Sequence, residues 1–162
     1  MPQNDEALLL RLKTNEVEFV VIGGVCAVMH GVSMVTFDLD ICCRFDFENL
    51  KRIEAAVGDL HPHHRLSPNK LPLELNEELA SRLKNMYLQT DLGKLDCLGE
   101  VAGIGGFQKV LERSQAQKMS YGNLLILNID ALIDAKAAVG RDRDLAAVKQ
   151  LQAIKERMAG DI

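Results

Sequence analysis

The chain has 162 residues, close to one typical domain of about 150, and a chain of this size buries enough surface to fold without a disulfide or a structural metal. Hydrophobic residues at 48% and charged residues at 26% lie near globular averages and exclude disordered, collagen-like and coiled-coil classes. The 19 basic and 23 acidic residues leave a net charge of −4, so no overall positive field is available to hold a nucleic acid or an anionic membrane.

The start, Met1-Pro2-Gln3-Asn4-Asp5-Glu6, is acidic where a signal peptide would be basic, and no apolar run approaches the roughly 18 residues of a membrane span. The expected location is therefore the cytoplasm, with no membrane partner. Cys26, Cys42, Cys43 and Cys97 form no C-x-x-C pair and lie in apolar stretches, where a free thiol acts as a small buried hydrophobe rather than a zinc ligand.

In chain order, Ala7 to Lys13 predicts a short helix, and Glu18-Phe19-Val20-Val21-Ile22 a buried strand. The strand ends at a Gly23-Gly24 turn, followed by one or two helical turns over Val25 to His30, closed by Gly31. Thr36 to Cys43 alternates Phe37, Leu39, Ile41 and Cys43 against Asp38, Asp40 and Cys42, which predicts a strand with one face to the core. Phe47 to Val57 has helical spacing, 61–73 holds most of the prolines and histidines and reads as a loop, and Glu74 to Asn85 favours helix. Met86 to Thr90 and Lys94 to Leu98 flank Asp91-Leu92-Gly93 as a hairpin. A glycine-rich stretch, Gly99 to Gly106, leads into a helix from Phe107 to about Arg113, and one or two strands fall between Gln117 and Leu127. A helix over Ile129 to Val139 begins at Asn128 or Asp130, and a last one over Asp142 to Met158 carries Leu145, Val148, Leu151 and Ile154 on one stripe. The assembly predicted is a single α/β (α+β) domain over 1–162, with a central mixed sheet flanked by helices and a helical C-terminal part from about 129.

Asp38-Leu39-Asp40 carries the strongest chemical signal, because residues i and i+2 of a strand point to one face about 6.6 Å apart. Two carboxylates on a half-buried strand require a compensating positive charge, and a hard divalent cation that takes carboxylate, phosphate and water oxygens would supply it. Upstream, the Gly23-Gly24 turn lets backbone amides approach an anion. Downstream, Asp96 alternates with core residues in its own predicted strand and adds a third carboxylate. Leu39, Ile41, Leu95 and Leu98 are expected to turn away from this cleft into packing.

Gly23-Gly24-Val25-Cys26-Ala27-Val28-Met29-His30-Gly31, then Thr36-Phe37-Asp38-Leu39-Asp40, then Asp96, then Leu132-Ile133-Asp134-Ala135-Lys136-Ala137-Ala138-Val139-Gly140-Arg141-Asp142-Arg143-Asp144-Leu145 resembles the minimal nucleotidyltransferases of the DNA polymerase beta superfamily. It is most similar to the small bacterial relatives of the abortive-infection nucleotidyltransferase toxins. The resemblance covers about residues 17 to 150 and implies two-metal transfer of a nucleoside monophosphate from an NTP to an acceptor hydroxyl on tRNA, protein or a small molecule. Asp38, Asp40 and Asp96 would be the catalytic residues and the ligands of Mg²⁺ or Mn²⁺. Gly23, Gly24, His30, Thr36, Lys136 and Arg141 would face the nucleotide, although Lys136 and Arg141 also read as solvent-facing charges paired with Asp134 and Asp144. A toxin-like or antitoxin-like protein partner is implied as well.

Two positions depart from the family pattern: Met34 stands where an arginine is usual, and Val25 where a serine follows the glycines. They motivate an alternative, a nucleotidyltransferase fold without catalysis that senses nucleotide or binds a protein. A haloacid-dehalogenase phosphatase also uses D-x-D, but on its first strand, whereas this pair lies on the second. His61-Pro62-His63-His64 lacks metal-ligand spacing, His30 reads first as a capping or packing residue, and Gly103-Ile104-Gly105-Gly106 matches neither a dinucleotide fingerprint nor a P-loop.

Overall fold

The computed structural model describes residues 2–160. Helix α1 (Asp5–Thr14) starts where the Asn4 side chain accepts from the Ala7 amide at 3.0 Å, carries Asp5 and Glu6 in its first turn, and buries Leu8, Leu9 and Leu12. Strand β1 (Phe19–Ile22) is buried at every position, as an apolar run covered on both faces must be. It passes directly into α2 (Gly23–Met29), so the expected separate glycine turn is the first turn of the helix itself. Strand β2 (Leu39–Cys43) begins three residues later than predicted, because 37 and 38 bend before the ladder starts.

Helix α3 (Phe47–Val57), capped by Asp46, leads through a short 3₁₀ turn (Gly58–Leu60) into the proline-rich segment. That segment is not wholly loop: His63–His64 forms β3, pairing with β4 (Asn85–Thr90). The predicted helix over 74–85 shrinks to α4 (Glu77–Arg82), since Asn76 caps it late and Asn85 already belongs to β4. After β5 (Gly93–Leu98), the glycine-rich stretch folds as a small hairpin, β6 (Glu100–Val101) with β7 (Gly105–Gly106), before α5 (Phe107–Glu112). The region 114–127 is a hairpin of β8 (Ser114–Met119) and β9 (Gly122–Leu127). Helix α6 (Ile129–Val139) is capped by Asn128, which accepts from the Ala131 amide at 2.8 Å, and ends at Gly140 with φ 70°. In α7 (Asp142–Gly160), Leu151 is buried and Val148 and Ile154 are half-buried, but Leu145 is exposed and Asp144 takes the inward position.

These strands make one mixed sheet in the order β3-β4-β5-β2-β1-β9-β8. Strand β2 is antiparallel to β1 and parallel to β5, and β1 is parallel to β9. All four cysteines are buried and free, and burial pushes Cys26 and Cys42 up to about 12, which keeps them protonated. No helix among the described residues is long and apolar enough to cross a membrane.

Asn49 closes the end of the β1–β2 pair away from the aspartates. Buried at 1% exposure, it accepts from the Glu18 amide at 2.8 Å and donates to the carbonyls of Glu18 at 3.1 Å and Arg44 at 2.8 Å. Asn49→Leu retains the volume but takes the side-chain partner from the Glu18 amide and the Arg44 carbonyl, and leaves the Glu18 carbonyl only the Arg44 amide at 3.4 Å, so urea unfolding should show a loss of about 2–4 kcal/mol. A loss below about 0.5 kcal/mol would mean that the clamp contributes little.

Candidate active site

Asp40 faces Asp96 because β2 and β5 run parallel with Asp40 and Asp96 as register partners, while Ile22, the last residue of β1, lies across from Asp40 on the other side. Asp38 joins them from the bend before β2. One carboxylate oxygen from each of the three lies within 4.8 Å of the other two. Leu39, Ile41 and Leu95 are fully buried in the core. Leu98 is not among them: it shares the parity of Asp96 on β5 and lines the same cavity.

Crowding shapes the electrostatics. Burial, followed by the charges of Asp38 and Asp96, pushes Asp40 up to about 7, and burial and the Asp96 charge raise Asp38 as well. Three oxygen donors that repel one another at short range suit a hard divalent cation, which prefers carboxylates and relieves that repulsion. Part of the compensation comes from a residue that sequence reasoning missed. Arg65 forks onto Asp96, with Nη2 donating to Oδ2 at 2.9 Å and Nη1 to Oδ1. It follows β3, 31 residues before Asp96, and only the expectation of a compensating positive charge pointed to such a residue.

The glycine pair is held close to the triad. Gly23 has φ +66°, and a Cβ built there would lie 2.3 Å from Asp40 Oδ2, so both the left-handed backbone and the contact with Asp40 require glycine. A Cβ on Gly24 would meet Thr36 Cγ2 at 3.0 Å and Met34 Cε at 3.3 Å. No side chain caps α2, and Val25 is buried. Thr36 lines the cavity and its hydroxyl donates to Asp5 Oδ2 at 3.3 Å.

Lys136 and Arg141 are brought to the same cavity, which has a volume of about 660 Å³ and also exposes Tyr87, Val101 and Arg143. The expected pairing with Asp134 does not form, since Asp134 accepts from Arg113 at 2.8 Å. Lys136 is itself buried rather than solvent-facing, and both cations converge on Asp144, Arg141 Nε at 2.6 Å and Lys136 Nζ at 3.7 Å. Burial would raise the Asp144 carboxyl, but the Arg141 hydrogen bonds and the two positive charges outweigh it and hold it below its usual range. His30 is not brought into the cavity: its Nε2 donates to the Leu127 carbonyl at 2.7 Å, a packing role that ties α2 to the end of β9.

No protein-family model matches the chain, and no curated protein matches it either. Solved structures do. The lincosamide antibiotic adenylyltransferase LnuA, solved with lincomycin, superposes with a TM-score of 0.62 at 16% identity, over 95% of this chain and 99% of that one. ANT(2")-Ia, solved in complex with adenylyl-2"-tobramycin, gives 0.55 at 10% identity over 96% of this chain and 94% of that one. An antigenic nucleotidyltransferase-like protein from Paracoccidioides brasiliensis gives 0.55 at 10% identity over 94% of this chain and 77% of that one. A mixed sheet that sets Asp40 beside Asp96, next to a strand running into Gly23-Gly24, agrees with these likenesses: the chain has the nucleotidyltransferase fold.

Proposed function

We propose that the chain is a cytoplasmic nucleotidyltransferase that moves a nucleoside monophosphate from an NTP to a hydroxyl of a small molecule. The observation that carries this reading is the convergence of Asp38, Asp40 and Asp96 beside the Gly23-Gly24 start of α2, in a cavity that also exposes Lys136, Arg141 and Arg143. Asp38, Asp40 and Asp96 would hold Mg²⁺ or Mn²⁺, which when bound neutralises phosphate charge and favours attack at phosphorus. The backbone amides of the Gly23-Gly24 turn contact phosphate oxygens, and Thr36 shapes the floor beneath them. Lys136 and Arg141, held in place by Asp144, face the negative charge that develops on the leaving group. The acceptor oxygen bonds to the α-phosphorus as its proton passes to a carboxylate oxygen of Asp96, and the bond to the bridging oxygen breaks to release pyrophosphate.

A small-molecule acceptor is supported by the net charge of −4, which offers no field for a polynucleotide. Two of the three cavity cations are moreover already tied to Asp144. LnuA and ANT(2")-Ia, with lincomycin and adenylyl-tobramycin in their structures, are in keeping with an acceptor of this size.

Metal binding should raise thermal stability in the wild type, because a ligand that binds only the folded state stabilises it, and Asp40→Asn should abolish the gain. An equal Mn²⁺-induced shift in both proteins places the metal elsewhere. The pH dependence without metal has a definite sign. Asp40 is raised to about 7 in the folded protein, so between the ordinary carboxylate range and about pH 7 the folded state holds the extra proton, and stability falls as pH rises through that window. Asp40→Asn should therefore exceed the wild type by roughly 1–3 kcal/mol at about pH 8, after allowance for solvent screening, and the advantage should vanish near pH 4. An advantage that does not change with pH in denaturant titrations contradicts that assignment.

The activity itself is tested by incubation with each α-labelled NTP, Mg²⁺ and a panel of hydroxylated small molecules beside tRNA and cell protein. Label should enter a small molecule, and Asp38→Ala or Asp40→Ala should lower the rate by several orders of magnitude while circular dichroism stays unchanged. Met34 lines the cavity next to Gly24, so Met34→Arg should tighten NTP binding by about tenfold or more, the value of one charge-assisted hydrogen bond. If neither the wild type nor Met34→Arg binds any NTP with Mg²⁺ in calorimetry, the enzyme reading fails.

A further inference from the structure

We propose that Arg65 is a built-in counter-ion of the carboxylate triad, one that holds Asp96 in the metal-free protein and competes with a divalent cation for it, so that this arginine sets metal affinity in the absence of nucleotide. The proposal rests on the reading of the triad as a metal site and adds to it a residue from outside the motifs.

Asp96 lines the cavity but is only 6% exposed, so water solvates its charge poorly and a cation facing it is favoured. Arg65 fills that role with both terminal nitrogens, one on each oxygen of Asp96, and a guanidinium fork takes up the in-plane lone pairs that a metal ion would use. Its placement does not depend on the ion pair. The Arg65 backbone amide donates to the Tyr87 carbonyl at 2.9 Å, Nη1 reaches the Leu88 carbonyl at 3.4 Å, and the guanidinium carbon lies 5.5 Å from the centre of the Tyr87 ring. Tyr87 is the register partner of Asp96 in the β4–β5 ladder. The residue that follows β3 is therefore held across β4, with its positive charge on Asp96 and within reach of the charges of Asp38 and Asp40. A unit positive charge so close repels a second cation, and a divalent ion gains the full three-carboxylate site only when the fork opens.

Calorimetric titration of the full chain with Mn²⁺, without nucleotide, tests this on the wild type, Arg65→Gln, Arg65→Lys and Asp40→Asn. Arg65→Gln should bind Mn²⁺ about tenfold more tightly than wild type, the order expected for removal of one partly screened charge at contact range. Its metal-free melting temperature should drop, and its Mn²⁺-induced rise should exceed that of the wild type. Arg65→Lys keeps the charge without the planar fork and should fall between the two. It also decides the matter if Arg65→Gln does not fold, since tighter binding than wild type supports competition and equal or weaker binding opposes it. Weaker Mn²⁺ binding by Arg65→Gln would show that Arg65 orients Asp96 as a ligand, and equal affinity that it is indifferent to the metal; either overturns the proposal while the triad reading stands. Absence of Mn²⁺ binding in wild type, Arg65→Gln and Asp40→Asn alike would instead remove the metal site, and the proposal with it.

Discussion

Three carboxylates are pressed together at one wall of this fold, and much of the surrounding structure can be understood as the means of keeping them there. Two stand side by side because β2 and β5 pair in parallel with Asp40 opposite Asp96, and the third arrives from the bend before β2. In water such a group would separate or take up protons. Here the strands that carry them are anchored by Leu39, Ile41, Leu95 and Cys97, all fully buried, and hydrophobic burial of that order outweighs the repulsion among partly screened charges.

The repulsion is spread over several partners. Asp40 takes up part of it as a carboxyl raised to about 7. Arg65 meets Asp96 from the end of β3, and Lys136 adds positive charge from α6 while itself bound to Asp144. Gly23 contributes by what it lacks, since a side chain there would run into Asp40. The N-terminal segment supports the arrangement from outside: Gln3 bonds both the amide and the carbonyl of Lys94, at 2.8 and 2.9 Å, and Asp5 receives the Thr36 hydroxyl. The strand that bears Asp96 and the loop that bears Asp38 are thus tied to a single helix start.

Arg141, Lys136 and Asp144 show how a charge network built on a buried carboxylate serves a site without belonging to the triad. Asp144 takes an inward position on α7 that helical periodicity would assign to an apolar side chain, and Leu145 is left exposed. An apolar residue in place of Asp144 would release both cations from their common anchor and leave the buried Lys136 without its partner. A polar anchor in the core is the cost of holding two positive charges at the rim of an anionic cleft.

The order of strands and helices was legible in the chain because hydrophobic periodicity is a local property: the apolar run of β1, the alternation around Asp38 and Asp40, and the Asn128 cap of α6 each appear within a few residues. The pairing of Asp38 with Asp40 was expected from the period of a strand, but β2 starts only at Leu39 and Asp38 reaches the triad from the bend before it. Other features depended on distant partners. Strand β3 exists only because His63–His64 finds β4, and α4 is short because Asn85 is taken into the sheet. Lys136 looked like a surface charge until α7 brought Asp144 against it, and Arg65 lies in a proline-rich stretch with no local signal. The sequence by itself determined most of the longer elements and singled out the aspartates and the glycines beside them, since backbone period and side-chain chemistry act between near neighbours. Only the tertiary structure decided which cations face those carboxylates, because an ion pair between residues far apart in the chain is set by strand register and helix packing.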